Sequence, residues 1–343
     1  MTISRPRWGI TLGGATIGAL LLAGCGGGSS DAGSEAEGET VAYATITQLG
    51  SITSEITECA DTQTQTLMGP GDDPHVFAPS SSEIAEMSQA PLVVANGLGL
   101  EASMVSALDT AVEDGVNVVE VAPQLDPLPF ASHDGHSHDE DDHRHEDEDE
   151  DEDEDEGEVG HNHSGTDPHV WMDVSRMATA AELIGDELAE ATGDDTYRDC
   201  ATETSAQLME THESIIEMFS EIPEDQRTLM TDHAAYNYFA DAYGLEITAV
   251  VVPGGSTDGE PSSQDLARLS AEIDAEGVDA LITSVQTSNR LIETLADESG
   301  GEVPLVQLYE GGLGEPGSEA ETYAEAMEYN ARTLAEALGA AQD

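Results

Sequence analysis

The chain contains no lysine, and its nine arginines stand against 72 aspartates and glutamates, for a formal charge of −63. A surface of that sign repels a phosphate backbone and has no basic patch to offset the repulsion, so nucleic acid is excluded as a partner. Such a surface stays soluble in concentrated salt, where screening over about 3 Å at 1 M removes its self-repulsion. A salt-loving setting is therefore expected, which says nothing about fold. Cysteine is scarce, at three residues. The sequence also lacks a glycine-rich phosphate cradle, a nucleophile elbow and a Ser, His and Asp arrangement, so nothing points to phosphoryl or acyl transfer.

Long apolar runs are absent except near the start. Arg5 and Arg7 precede the apolar, glycine-interrupted stretch from Ile10 to Ala23, which is too short for a membrane span. Leu22-Ala23-Gly24-Cys25 resembles a bacterial lipobox, in which removal of residues 1–24 leaves a lipidated Cys25 at the new terminus; a plain secretory signal before an ordinary cysteine is the alternative. Residues 25–40, rich in Gly, Ser and acids, read as a flexible tether. The mature protein is expected to be extracytoplasmic and anchored to the membrane. Cys59 and Cys200 remain, an even pair in an oxidising compartment. A disulfide between them is expected, with two buried free thiols as the other reading.

What is abundant is histidine in one place. His133, His136, His138, His143, His145, His161 and His163 lie within a run of aspartate and glutamate. Imidazole suits zinc, copper and nickel, and carboxylates attract the same ions from a distance, so this segment points to metal. It has nothing apolar to bury and its charges repel, so no order is expected of it; the histidine-free stretch Glu146 to Glu156 alone reads as a solvated acidic loop.

The rest alternates strand and helix. Strands are expected at Val41–Leu49, Thr62–Met68, Pro91–Ala95 and Val116–Ala122, with helices at Ser51–Thr57, Ser82–Gln89 and Glu101–Glu113. Asp173–Glu190 and Tyr197–Ser220 read as two long amphipathic helices linking two halves. The alternation then resumes with strands at Arg227–Thr231, Glu246–Val252, Ala280–Ser284 and Val303–Leu308, and helices at Ala234–Tyr243, Ser262–Glu276, Ser288–Ser299 and Thr322–Leu338. This predicts an α/β protein of two similar lobes, each a mostly parallel sheet flanked by helices, at 41–172 and 222–343, with linking helices at 173–221 and the histidine-rich loop at 132–165 inside the first lobe.

Three further histidines sit in turns beside predicted strands: His75 in Asp73-Pro74-His75-Val76-Phe77, His169 in Asp167-Pro168-His169-Val170-Trp171-Met172-Asp173, and His233 in Asp232-His233-Ala234-Ala235-Tyr236. The carboxyl ends of parallel strands are where open α/β sheets bind ligands. A lone histidine there is usually structural, but three in one class of position fit a tetrahedral zinc site drawn from two lobes. The adjacent Asp73, Asp167 and Asp232 are placed either to orient the imidazoles or to cap the next helix. His212, on a long charged helix, reads as a solvated residue, and Met68, Met87, Trp171 and Phe239 as core packing.

These motifs, with Ala95-Asn96-Gly97-Leu98-Gly99-Leu100-Glu101, Tyr243-Gly244-Leu245, Leu313-Gly314-Glu315-Pro316-Gly317, Tyr323 and Asn330, resemble the zinc and manganese solute-binding lipoproteins of ABC importers, cluster A-I, and the acidic histidine-rich insertion resembles the zinc-importing branch. The resemblance covers nearly the whole mature chain. It implies two α/β lobes bridged by one long rigid helix, a single metal between them held by His75, His169 and His233, and delivery of that metal to a permease and ATPase by a monomer that performs no chemistry. Manganese-type relatives carry a glutamate near Ala280–Ser284, where this chain has Ser284, so Zn(II) is expected ahead of Mn(II). Relatives also place a carboxylate where Gly311 stands, which makes Glu310, one residue earlier, the candidate fourth ligand, with a water or another acid as alternatives. Competing classes remain a zinc hydrolase, which needs an open fourth position and a general base, a surface structural protein that binds metal incidentally, and a metal buffer in which the loop is the working part.

Overall fold

The computed structural model describes residues 38–130, 165–252, 263–286, 290–298 and 303–339. The signal stretch, Cys25, the tether up to residue 37 and all seven loop histidines lie outside the described residues.

The first sheet is built from β1 (Thr40–Ala44), β2 (Gln63–Thr66), β3 (Leu92–Ala95) and β4 (Asn117–Glu120), all parallel, in the order β2-β1-β3-β4. The second repeats the topology with β5 (Thr228–His233), β6 (Glu246–Val252), β7 (Ala280–Ser284) and β8 (Leu305–Leu308), again parallel, in the order β6-β5-β7-β8. The central strands β3 and β7 are buried along their whole length, as expected for strands covered by helices on both faces.

Crossover helices α1 (Thr47–Cys59), α2 (Ser81–Met87) and α3 (Val105–Glu113) serve the first sheet, while α6 (Asn237–Tyr243), α7 (Ser263–Glu276) and α8 (Arg290–Glu298) serve the second; α9 (Tyr323–Ala337) closes the chain. Between the halves run α4 (Val174–Thr192) and α5 (Thr196–Ser220), separated where Gly193 takes the left-handed conformation that ends a helix. They pack closely because Gly185 has no side chain: a Cβ there would lie 2.2 Å from that of Ala201 and 2.9 Å from the Tyr197 carbonyl oxygen.

Helix α5 joins the lobes. Near its start Tyr197 meets Thr62 by a 3.0 Å hydroxyl contact, and Cys200 is disulfide-bonded to Cys59 at the end of α1. At its far end Phe219 packs on Phe239 and Tyr243 of α6, and its carbonyl accepts from Arg227 before β5. The expected disulfide is thus present in the fold. Among the described residues no helix is long and apolar enough to cross a membrane.

Differences from the sequence reading are local. Thr47–Leu49 begin α1 instead of ending β1, and they do so with no side-chain cap from Ile46, so the usual start signal is missing. The segment expected as helix from Glu101 opens with a short 3-10 helix, Ala102–Met104. Ala234–Tyr236, expected as helix, forms a tight turn in which the Ala235 N–H returns to the His233 carbonyl. His212 is half-buried, 3.3 Å from the Tyr243 hydroxyl, where a solvated residue was expected.

Candidate metal centre

Each of the three turn histidines is delivered by a different device. His233 is the last residue of β5, so the strand itself aims it. His169 stands immediately before a 3-10 helix, Val170–Met172, that leads into α4. His75 lies nine residues beyond β2, farther from its strand than the sequence suggested, in a turn where the Val76 and Phe77 N–H groups return to the Asp73 carbonyl.

Their ring nitrogens converge within 4.8 Å of one another. The Nε2 atoms of His75 and His169 are 3.2 Å apart. Glu310, two residues past β8, joins them: its Oε2 is 3.4 Å from His233 Nε2 and its Oε1 4.0 Å from His169 Nε2. His169, His233 and Glu310 are buried, and His75 is partly exposed at the edge of the cluster.

Two imidazoles are oriented by aspartates. Asp167 Oδ1 accepts both the backbone N–H of His169 and, at 2.7 Å, its Nδ1. Asp232 Oδ1 does the same for His233, at 2.8 Å to Nδ1, while its Oδ2 accepts from the Thr283 hydroxyl and the Ser284 N–H at the end of β7. With the proton on Nδ1, each Nε2 carries a lone pair directed into the cluster, the arrangement metal-bound histidine requires. Asp73 Oδ1 accepts the backbone N–H of His75. Ser284, at the position where a manganese-type carboxylate was considered, gives its hydroxyl to Gln286 instead.

Electrostatics couple the pair at the centre. Burial alone would make His233 harder to protonate, yet the nearby charge of Glu310 and the charge and hydrogen bond of Asp232 hold its pKa well above the ordinary 6.5. Burial would likewise raise Glu310, but His233, His169 and His75 bring it down to about 2. Four buried side-chain atoms of the described residues have no hydrogen-bond partner: Asp167 Oδ2, His233 Nε2, Tyr236 Oη and Glu310 Oε1. Two of them, His233 Nε2 and Glu310 Oε1, belong to the converging ligand groups, and because buried polar atoms are ordinarily satisfied, they mark the place where a cation belongs.

Sequence reasoning missed the groups that fix this geometry. The Glu310 carbonyl accepts from the Gln48 side chain of α1 and from the Trp171 indole, each at 2.9 Å, and the Leu313 N–H reaches the Thr47 hydroxyl. Elements of the first lobe therefore hold the segment of the second that carries Glu310. The Asn96 amide donates to the Pro168 carbonyl next to His169, and Tyr238 Oη donates to the Asp167 carbonyl. Asn96 is held in turn by Glu101, whose buried carboxylate accepts from Thr45 and from the N–H groups of Asn96 and Gly97, closing a turn in which Leu98 has a φ of +55°. The Asn-Gly-Leu-Gly run was the available signal for that turn.

The family described as zinc-uptake complex component A, periplasmic, has a sequence model that matches residues 42–337. The chain is 28% identical over 324 residues to the manganese-binding lipoprotein MntA of Halalkalibacterium halodurans, covering 93% of this chain and 95% of that one. It is 25% identical over 319 residues to the zinc-binding protein TroA of Treponema pallidum, covering 91% and 92%. Among solved structures, the periplasmic zinc-binding protein TroA from Treponema pallidum superposes with a TM-score of 0.69 at 23% identity, covering 88% of this chain and 99% of that one. The Mn-bound periplasmic metal-binding protein from Candidatus Liberibacter asiaticus gives 0.70 at 18% identity, covering 88% and 100%. At those identities the structures speak for the fold alone.

Proposed function

We propose a function from one premise: the chain belongs to the zinc-uptake complex component A family, whose sequence model spans nearly all of its folded residues. Members are metal-binding transport receptors, not enzymes, and this chain is a metal-binding solute-binding protein of an ABC importer, working with a permease and an ATPase. Its cargo is Zn(II), captured by His75, His169, His233 and Glu310 and handed to the permease unchanged.

The observation that carries the choice of zinc is the donor set. Three imidazoles and one carboxylate match the four-coordinate site zinc prefers, whereas Mn(II) favours more oxygen ligands in an octahedral shell. The names of the relatives divide between manganese and zinc, so the proposal of zinc rests on the composition of the site and not on kinship. The seven histidines at 133–163 gather zinc near the cleft in this reading, a task for which many weak ligands suffice. Lipidation of Cys25 keeps the protein, a monomer, on the outer face of the cell membrane, and the lobes are 41–172 and 222–343.

The test is calorimetric titration with Zn(II) and Mn(II), under chelator competition, of protein starting at residue 26, of the same protein lacking 133–163, and of His233→Ala. One tight zinc site should survive loop deletion and be lost or greatly weakened in His233→Ala. Loss of the tight site on loop deletion, or manganese bound more tightly than zinc, refutes the reading. Detergent-phase partitioning of full-length protein against Cys25→Ala checks the anchor.

A further inference from the structure

Tyr236 is buried at 2% exposure, three residues after His233, with its ring 6.2 Å from that imidazole, yet its hydroxyl has no hydrogen-bond partner. A buried phenol left unsatisfied is costly, and a phenylalanine would fill the same space without that cost. Burial first, and then the charges of Asp232 and Glu310, push the pKa of this phenol well above its ordinary 10, so it stays a hydrogen-bond donor. Asp232 is already taken: Oδ1 accepts from the His233 backbone and ring, and Oδ2 from Thr283 and Ser284. Two buried carboxylate oxygens of the described residues are unpartnered, Asp167 Oδ2 and Glu310 Oε1, and of these two side chains it is Glu310 whose charge reaches the Tyr236 phenol.

We propose that Tyr236 is a specificity-determining residue: once a cation is bound, its hydroxyl donates to the Glu310 oxygen that does not ligate, holding the carboxylate in a one-oxygen mode. This rests on Glu310 being a ligand. A carboxylate offering one oxygen beside three imidazoles gives the coordination number of four that zinc favours. Freed to offer both, it enlarges the shell toward the oxygen-rich, higher coordination that suits manganese. The hydroxyl thus penalises the wrong ion by restricting a ligand, without itself touching the metal.

The test is Tyr236→Phe, alone and combined with Glu310→Ala, titrated with Zn(II) and Mn(II) and examined as the Co(II) form by visible absorption. The zinc dissociation constant should rise about tenfold, as expected for a hydrogen bond to a charged group, while that for manganese falls or moves by no more than about twofold. The Co(II) bands should lose the intensity characteristic of four-coordination. Thermal stability of the metal-free variant should be unchanged or higher, which separates a role at the metal from a structural one. In the Glu310→Ala background the effect of Tyr236→Phe should disappear. An unchanged zinc-to-manganese ratio, or an equal effect with and without Glu310, overturns the proposal. Failure of the underlying reading shows separately, as a tight zinc site that persists in both His233→Ala and Glu310→Ala.

Discussion

The indole N–H of Trp171 donates to the backbone carbonyl of Glu310 at 2.9 Å, across 139 residues of sequence. Trp171 is two residues from His169, so one hydrogen bond sets the spacing between a histidine fixed by the first lobe and a carboxylate carried by the second. The Tyr323 hydroxyl donates to the Trp171 carbonyl, locking the indole's own backbone. In Trp171→Phe the ring still packs but the tie is lost. Zinc affinity should fall by about tenfold, and unfolding free energy by about 1–2 kcal/mol from the bond and the smaller ring. Calorimetry and urea denaturation measure the two separately; unchanged zinc affinity would show that the Gln48 bond positions Glu310 by itself.

Proton release should accompany zinc uptake. In the metal-free protein burial works against charge on His233, but Glu310 and Asp232 raise its pKa well above 6.5, so at neutral pH it holds a proton that zinc must displace. The sign follows from linkage. The stabilisation that a raised histidine gives the metal-free fold is complete below its unfolded value of about 6.5 and is lost as pH climbs through its folded value. That from Glu310, lowered to about 2, is present above its ordinary value and lost only as pH falls through about 2. The metal-free melting temperature should therefore decline from pH 7 to pH 9, while zinc affinity strengthens over the same range. Calorimetry at pH 7 in two buffers of different protonation enthalpy should give about one proton released per zinc. Release of none would mean that His233 is already neutral.

How legible this was varies with the kind of physics involved. The strands Glu246–Val252 and Ala280–Ser284 coincide with the apolar runs that announced them, because a buried parallel strand writes its burial directly into composition. His75, His169 and His233 stood out because turn residues and aspartates surround each one. The start of α1 was hidden, since Thr47, Gln48 and Leu49 have no cap before them and resemble a strand's end. Trp171 was read as packing, and it does pack, but which distant carbonyl an indole reaches depends on tertiary geometry and leaves no local trace. Tyr236 was invisible for the same reason: an unsatisfied hydroxyl exists only relative to its three-dimensional neighbours.

The Cys59–Cys200 bond closes a loop of 141 residues and staples α1 to the start of α5. Chain entropy alone assigns such a closure about 5 kcal/mol, and measured disulfides more often give about 2–4 kcal/mol. The double variant Cys59→Ser, Cys200→Ser should lose that much in guanidinium unfolding. Its zinc affinity should stay within about twofold of the parent, since the bond constrains mainly the unfolded chain. A large loss of zinc affinity would instead mean that the staple holds the angle between α1 and α5, and through Gln48 the position of Glu310.

Charge imposes a last condition on the whole fold. Among the described residues Arg176, Arg198, Arg268 and Arg332 pair with Asp173, Asp186 and Asp195, Glu272, and Glu319, but nine basic residues cannot neutralise 72 acidic ones. Most carboxylates therefore have no basic side chain to pair with. Their repulsion is long-ranged at low ionic strength, with a screening length of about 10 Å at 0.1 M, and falls to about 3 Å at 1 M. The few exposed ion pairs lose little on screening, because each contributes at most about 1 kcal/mol. Repulsion must then dominate the salt response, and the melting temperature of the metal-free protein should rise steeply from about 0.1 to about 1 M NaCl and level off beyond, where the remaining screening is short. Replacing NaCl with sorbitol at equal osmolality should not reproduce the rise, since sorbitol screens nothing. A melting temperature that is flat or falls across that range would show that the unpaired carboxylates are held apart well enough in the fold to need no salt.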